Sequence, residues 1–161
     1  MRLTLQRAVE QYQLSVFRAA FYICKNRQDA EDAAQETFLA YYRSGEDFES
    51  AEHLRAWLLR TAIHKAQDMC RSFWRRNRES LDDYAETLST APGEDSEVLQ
   101  AVLTLPERCR VIIYLFYYEG YSVHEVAQVL KLKDSTVKAQ LHRGRLLLRE
   151  RLKEEWNDDE C

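Results

Sequence analysis

Glycine and proline, the residues that most often end regular structure, are scarce in this chain: there are four glycines and two prolines among 161 residues. A fold with many β-strands needs a turn every few residues and depends on both. Arg or Lys also interrupts every apolar stretch before it reaches the ~18 residues of a membrane span. We therefore expect an all-α protein without membrane insertion. The start of the chain lacks the apolar stretch of a signal peptide, which favours a cytoplasmic location.

The one Pro-Gly pair lies in a strongly acidic segment, residues 79–97, which carries seven acids and no base. Too few apolar residues occur there to build a core, so the segment is predicted to be a flexible linker. It would join two small helical domains, 1–78 and 98–161. No internal repeat relates the two.

Residues 122–130 have the pattern of a short capped helix. Ser122 and Glu125 form a capping box, in which the Ser hydroxyl accepts from the amide three residues on and the Glu carboxylate reaches back. The apolar positions follow the spacing of one helix face, and they are Val123, Val126, Ala127 and Leu130. The next three residues are long enough only for a tight turn, in which Lys131 is expected at positive φ, at a cost of about 1 kcal/mol.

A second helix is predicted after this turn, capped by Asp134 or Ser135. Its apolar face carries Val137, Leu141, Leu148 and Leu152, with Gly144 between them. Two short helices joined by a three-residue turn describe a helix-turn-helix. The C-terminal domain is therefore predicted to contain one.

The flanks of this second helix carry cations and amides. At 100° per residue they form two groups, one of Lys138, His142, Arg145 and Arg149, and one of Thr136, Gln140 and Arg143. Cations bind phosphates, and amide or guanidinium groups bind base edges in a major groove. DNA binding is the favoured interpretation, and a basic helix in solvent is the alternative.

Three segments of the chain resemble bacterial sigma factors of the sigma-70 family. Residues 105–152, from LPERCRVII to LLLRERL, closely resemble the promoter-reading region 4. Residues 26–43 (NRQDAEDAAQETFLAYYR) and 53–76 (HLRAWLLRTAIHKAQDMCRSFWRR) resemble region 2. The short chain with only these regions matches the extracytoplasmic-function (ECF) group. The resemblance implies promoter-specific transcription initiation with core RNA polymerase, and a cognate anti-sigma factor as a further partner.

The part that resembles region 2 begins with an acidic helix. Asp32, Gln35 and Glu36 share one face of it, and Asp29 lies one turn earlier. By resemblance this face docks on the clamp helices of the polymerase β′ subunit, a basic coiled coil that complements the acids, while region 4 meets the β flap. Taken alone, the pattern also fits an acidic face in solvent.

Residues 53–78 carry a net charge of +6 and interleave cations with Trp57, Phe73 and Trp74. Aromatic rings among cations suit an opened DNA strand, whose bases stack and whose phosphates need neutralising. By resemblance this helix and the preceding loop, residues 46–53, read and melt the −10 promoter element and capture a flipped base. Trp57 and Leu58 are expected in the core. The candidate −10 contacts are Arg60, His64, Lys65, Arg71, Trp74 and Arg75.

By the same resemblance, the second helix of the helix-turn-helix enters the major groove of the −35 element. Its candidate contacts are Thr136, Lys138, Gln140, His142 and Arg143. Many relatives carry Asn at the position of His64 and Ser-Arg at the position of Ala139-Gln140. The base preferred at the −10 element is therefore expected to differ from theirs, and at the −35 element either the base preference should differ or the affinity should be lower.

Motifs for catalysis are missing from the sequence, which contains no phosphate-binding Gly-x-x-x-x-Gly-Lys loop, His-Glu-x-x-His pair or Gly-x-Ser-x-Gly elbow. His64 and Asp68 lie one helical turn apart, but a metal site needs more than two ligands. The four cysteines are widely separated, as in a protein of a reducing compartment. We expect no enzyme activity, catalytic residue, cofactor or metal.

A conventional helix-turn-helix repressor or activator, acting without replacing a sigma factor, is the alternative function. It explains residues 105–152 but neither the acidic helix nor the basic and aromatic segment. A repressor is expected to bind its operator alone, as a dimer. A sigma factor is expected to be a monomer when free and to read promoters only with core polymerase.

The net charge of −4 averages segments of opposite sign. Residues 53–78 and 131–153 each carry +6, whereas 79–97 carry −7 and the tail is acidic. We expect the acidic segments, 79–97 and 154–160, to lie against the basic faces of the free protein and to compete with DNA.

Overall fold

The computed structural model describes residues 2–76 and 97–159, with side chains described over 2–71 and 97–153. Within these ranges every regular element is helical, which confirms the predicted all-α class, and no helix is both long and apolar enough to cross a membrane. The chain divides into two compact units, Met1–Thr87 and Leu88–Cys161. The predicted linker, apart from Glu97, lies outside the described residues, as do the side chains of the acidic tail.

The described part of the N-terminal unit has three helices, α1 (Leu5–Cys24), α2 (Arg27–Ser44) and α3 (Ala51–Arg76). The side chains of Thr4 and Asn26 cap α1 and α2 by accepting a backbone N–H three residues on, which satisfies a donor that the helix itself cannot. Lys25 and Gly45 end the same two helices at positive φ. This left-handed conformation commonly terminates a helix.

Alanines allow these three helices to pack closely. Ala19, Ala33 and Ala62, one from each helix, are fully buried. Larger side chains fill the spaces between them, including Leu58, which confirms its predicted place in the core. Trp57 is half-buried and packs edge-on against rings of α2 and of the loop that follows it.

The described part of the C-terminal unit has four α-helices and one π-helical segment. They are α4 (Glu97–Leu103), α5 (Glu107–Ile113), the π-helical segment (Tyr114–Tyr118), α6 (Val123–Leu130) and α7 (Asp134–Asp159). Helix α5 continues directly into the π-helical segment, which ends where the Glu119 N–H donates to the Tyr114 carbonyl five residues back. Such i→i+5 turns are rare in proteins as a whole, and those that occur often lie at functional sites.

Helices α6 and α7 form the predicted helix-turn-helix. Both hydrogen bonds of the capping box at Ser122 and Glu125 are present, and Lys131 has φ +55, as expected. Helix α7 begins at Asp134, so the predicted cap at Asp134 or Ser135 is wrong by one or two residues. The Asp134 carboxylate instead contacts His124 Nδ1 at 3.1 Å, joining the first turns of α6 and α7.

The buried side of α6 differs slightly from the prediction. Val126 and Ala127 are buried as expected, but Val123 and Leu130 are half-buried and Val129 is buried in addition. The helix has only eight residues, so its two end residues lie at the rim of the core. The middle of the helix supplies the contact with the rest of the unit.

Candidate polymerase and DNA interfaces

The four candidate polymerase contacts lie together on α2. Gln35 and Glu36 are exposed, and Asp29 and Asp32 are half-buried. The buried side of the helix points the other way and consists mainly of small residues, Ala30, Ala33, Ala34 and Thr37, with Phe38 and Tyr41. The structure therefore brings the predicted face together as one surface.

The ionised form of Asp29 is disfavoured in the free protein. Burial raises its pKa, and the negative charge of Asp32 raises it further. Gln28 partly offsets the charge of Asp32 by donating to its Oδ1 at 3.3 Å. A cationic partner would favour the ionised form of Asp29 and so oppose the rise in its pKa.

Two large apolar side chains that were not predicted from the sequence extend the acidic face. Leu39 is 41% exposed and Tyr42 is 65% exposed. At 100° per residue, Leu39 lies in the middle of the face, between Gln35 and Glu36, and Tyr42 lies at its edge. The sequence did contain a signal for them. The alanines of α2 lie on one side and mark it as the buried side, so Leu39 and Tyr42 on the opposite side cannot reach the core.

Helix α3 carries the candidate −10 contacts. Arg60, His64 and Arg71 lie within a narrow stripe of its surface, with His64 and Arg71 exposed and Arg60 half-buried. Lys65 is half-buried and lies apart from this stripe, towards the buried side at Leu58. Trp74 and Arg75 belong to the helix, but their side chains lie outside the described residues.

The loop between α2 and α3, residues 45–50, is anchored to the rest of the unit at Phe48 and Glu49. Phe48 is 1% exposed and points into the core, whereas Glu46, Asp47 and Glu49 are exposed. The backbone N–H of Glu49 donates to His53 Nδ1 at 3.2 Å. The acidic side chains of the loop therefore face solvent.

The candidate −35 contacts occupy α7 from its first turn. Lys138, His142 and Arg143 are exposed, and Thr136 and Gln140 are half-buried. On the opposite side of the helix, Val137 and Leu141 are buried against the rest of the unit, and Gly144 is buried with them. This packing turns the three exposed side chains outward.

Two residues of the same helix contact preceding elements of the unit. Gln140 Oε1 accepts from the Cys109 thiol at 3.2 Å. Burial raises the pKa of that thiol against the opposing effect of Arg143, so it stays protonated and donates. Arg145 donates from Nε to the Tyr117 hydroxyl at 2.6 Å and lies over the Phe116 and Tyr117 rings of the π-helical segment.

His64 and Asp68 are both exposed on α3. Among the described residues, no group of three or more His, Cys, Asp or Glu side chains is arranged to hold a metal ion.

The family model for sigma-70 region 2 matches residues 8–76, and that for sigma-70 region 4 matches residues 95–148. Together they cover well over half of the chain. The chain belongs to the sigma-70 family. The first match spans the three helices of the N-terminal unit, and the second spans the helix-turn-helix with the helices before it.

Curated relatives of this sigma-70 protein are ECF sigma factors. It is 33% identical over 157 residues to the ECF RNA polymerase sigma factor SigE of Mycolicibacterium smegmatis, covering 89% of this chain and 60% of that protein. It is 28% identical over 176 residues to SigX of Bacillus subtilis, covering 99% of this chain and 91% of that one. The family assignment is therefore the ECF group, as the sequence predicted.

The fold of this ECF factor also matches a solved sigma factor. That protein is RpoE of Bartonella quintana, in complex with the anti-sigma factor NepR; the TM-score is 0.77 at 22% identity, over 92% of this chain and 96% of that one. The alternative function, a conventional repressor or activator, is not supported. It gave no role to the N-terminal unit, whereas the match to sigma-70 region 2 covers that unit.

Proposed function

We propose that the protein binds core RNA polymerase and directs initiation at a restricted set of promoters, with a separate surface for each contact. The observation that carries this proposal is the occurrence, in one chain, of an exposed acidic face on α2 and an exposed basic flank on the second helix of a helix-turn-helix. A repressor needs only the second of these.

The polymerase contact is the α2 face: Asp29, Asp32, Gln35 and Glu36, with Leu39 and Tyr42. Acids at the edge of an interface steer a basic partner and fix its orientation, whereas buried apolar side chains supply most of the affinity. A basic coiled coil such as the β′ clamp helices fits both features. Region 4 contacts the β flap in the same complex.

The −10 contact is the stripe of α3 formed by Arg60, His64 and Arg71, with Trp74 and Arg75 further along the helix and Lys65 apart from the stripe on the same helix. Cations there neutralise the phosphates of the opened strand, and the neighbouring loop captures a flipped base. Opening a base pair costs a few kcal/mol, which contacts to the flipped base offset without ATP.

The −35 contact is the exposed side of α7. Lys138, His142 and Arg143 lie nearest the groove, and Thr136 reaches it from the first turn. Gln140 offers its amide nitrogen, because its oxygen is engaged by Cys109. Donors of this kind bind phosphates and the acceptor atoms of guanine or thymine edges.

We propose further that the protein is cytoplasmic, monomeric when free and held inactive by a cognate anti-sigma factor, as the solved relative is bound by one. We assign it no catalytic step, cofactor or metal. Its effect on transcription comes from placing polymerase on DNA.

The polymerase contact is tested by replacing Asp32 and Gln35 with Arg. A like charge set against a basic partner costs several kcal/mol, so the affinity for core polymerase should fall by about 100-fold or more. Glu10→Arg with Gln13→Arg is the matched control, because these exposed residues of α1 have the same spacing and undergo the same charge change. Unchanged binding of the first variant would refute the docking face.

The DNA contact is tested by replacing Lys138 and Arg143 with Ala. Promoter-specific transcription should be lost while binding to core polymerase persists. Arg108→Ala with Lys153→Ala removes the same charge from two exposed positions of the same unit that are not candidate DNA contacts, and should preserve transcription. Transcription that survives the first pair would show that another element reads the promoter.

A further inference from the structure

An arginine close to the start of the chain joins the end of α2 to the loop that follows it. Arg2 Nη2 donates to the carbonyls of Tyr41 and Tyr42 in the last turn of α2, at 3.0 and 3.3 Å. Its Nη1 donates to the carbonyl of Glu46 in the loop, at 2.7 Å. One guanidinium therefore bridges Gly45, where the chain leaves the helix with φ +62.

Aromatic rings continue this connection into the core. The Arg2 guanidinium lies 4.7 Å from the centroid of the Tyr41 ring, and the Tyr41 hydroxyl donates to the Leu3 carbonyl. Tyr41 stacks on Phe48, with centroids 6.0 Å apart, and Phe48 meets Trp57 at 5.7 Å. Arg2 is thus the outer end of a packed row that runs through the loop to α3.

The second half of the loop is held by different contacts. The Ser50 hydroxyl accepts from the His53 N–H at 3.1 Å, and the Glu49 N–H donates to His53 Nδ1. Both hydrogen bonds are made by His53, in the first turn of α3. The first half, around Glu46 and Asp47, is held by Arg2 and by the buried ring of Phe48, together with local hydrogen bonds from the Glu46 N–H to Ser44 Oγ and from the Phe48 N–H to Asp47 Oδ1.

We propose that Arg2 is a positioning residue that holds the loop, residues 45–50, in the shape that captures a flipped base of the −10 element. This inference rests on the proposed function of that loop. A planar guanidinium donates to several carbonyls at once, which an ammonium group cannot do with the same geometry. A loop held ready in this way avoids the ordering cost that a loose loop incurs on binding.

The structural half of the proposal is tested on the free full-length protein by amide hydrogen exchange. Arg2→Ala should raise exchange about tenfold at Glu46–Phe48, because losing contacts of ~1.4 kcal/mol shifts a local opening by that factor. The middle of α1 should exchange as before. Arg7→Ala, which removes an exposed arginine from the first turn of α1, is the matched control. Unchanged exchange in the loop of Arg2→Ala would overturn the proposal.

The functional half is tested with the variant bound to core polymerase. The probes are single-stranded oligonucleotides that carry the non-template −10 strand of a promoter used by the wild type, each with one abasic site. The wild type should lose most affinity at one position. In Arg2→Ala this loss should shrink by about tenfold, and in Arg2→Lys it should shrink partly, while affinity for core polymerase stays the same.

The two proposals fail in different ways. A wild-type profile with no preferred position would refute base capture by the loop, and the role of Arg2 with it. A wild-type preference that Arg2→Ala retains in full would refute the role of Arg2 alone. A general loss of affinity at every position, with the preference intact, would also refute it, because a merely structural residue has that effect.

Discussion

At the scale of single residues, Lys131 shows how the helix-turn-helix accepts an unfavourable backbone conformation. Its φ of +55 ends α6 and lets the Leu132 N–H reach the Ala127 carbonyl at 2.9 Å. A side chain in this conformation costs about 1 kcal/mol relative to glycine. Lys131→Gly should therefore stabilise the C-terminal unit by up to ~1 kcal/mol, less the entropy that glycine adds to the unfolded chain.

Hydrogen exchange of the α6 amides under denaturant measures this change. Lys133→Gly is the control from the same turn, because Lys133 is not among the described residues with positive φ. Glycine there relieves no positive φ, and what it gains as the N-cap of α7 is offset by the looser unfolded chain, so this variant should gain less stability than Lys131→Gly. Equal effects at both positions would show that the φ of Lys131 carries no strain.

Asp29 supports a prediction on pH dependence. Burial and the charge of Asp32 raise its pKa, so the folded state binds this proton more tightly than the unfolded state. The resulting stability is present at low pH and is lost as the pH rises through the folded pKa. Asp32→Asn should lower the Asp29 pKa in an NMR titration, and Glu31→Gln, exposed on the same turn, should change it less. An Asp29 that titrates at its ordinary value in the wild type would contradict this account.

At the scale of elements, the crossing of α5 and α7 depends on the missing side chain of Gly144. A Cβ there would lie 2.5 Å from Ile113 Cδ1 and 3.4 Å from Cys109 Cβ. Gly144→Ala should destabilise the unit by ~1–3 kcal/mol for overpacking, less the helix preference of alanine. Ile113→Val removes the clashing carbon and alone costs about 0.5–1.5 kcal/mol.

The double variant tests whether this contact sets the distance between the two helices. Its destabilisation should be smaller than the sum of the two single effects by at least ~0.5 kcal/mol, because the valine leaves room for the new methyl group. Denaturant unfolding of the four proteins gives the coupling energy. If the two effects are additive, the contact between residues 113 and 144 does not set the distance between α5 and α7.

Elements whose signals are local could be predicted from the sequence. The capping box of α6, the turn at Lys131 and the shared face of Asp32, Gln35 and Glu36 each depend on residues within a few positions of one another. The π-helical segment has no comparable pattern, since an i→i+5 turn uses the same apolar residues as an α-helix. The contacts of this segment with Arg145, a hydrogen bond and two cation–π contacts, were therefore not predicted.

Contacts between residues far apart in the chain could not be predicted from the sequence either. Gln140 was expected on a flank facing DNA, and its inward contact depends on Cys109, 31 residues earlier. Arg2 reaches carbonyls 39 to 44 residues away. Such pairings follow from how the helices pack, which periodicity alone does not determine.

At the scale of the whole molecule, the order of charges along the chain matters more than their sum. A net charge of −4 argues against binding to nucleic acid, yet residues 53–78 and 131–153 each carry +6. Both include exposed cations on helix surfaces, at Arg71 on α3 and at Lys138 and Arg143 on α7. The seven acids of 79–97 offset part of this positive charge in the total, and we expect them to compete with DNA for the basic surfaces in the free protein.

Neutralising part of that segment tests this competition. Asp82→Asn, Asp83→Asn and Glu86→Gln together should raise the affinity of the free chain for duplex DNA about tenfold at about 50 mM salt, with little effect near about 500 mM, where charges are screened beyond a few Å. Glu10→Gln, Glu31→Gln and Glu107→Gln make the same change in net charge on exposed helix positions. Fluorescence anisotropy with a labelled duplex measures both sets. An equal gain from the two would show that net charge alone limits binding, whereas a gain confined to the first set places the competition in residues 79–97.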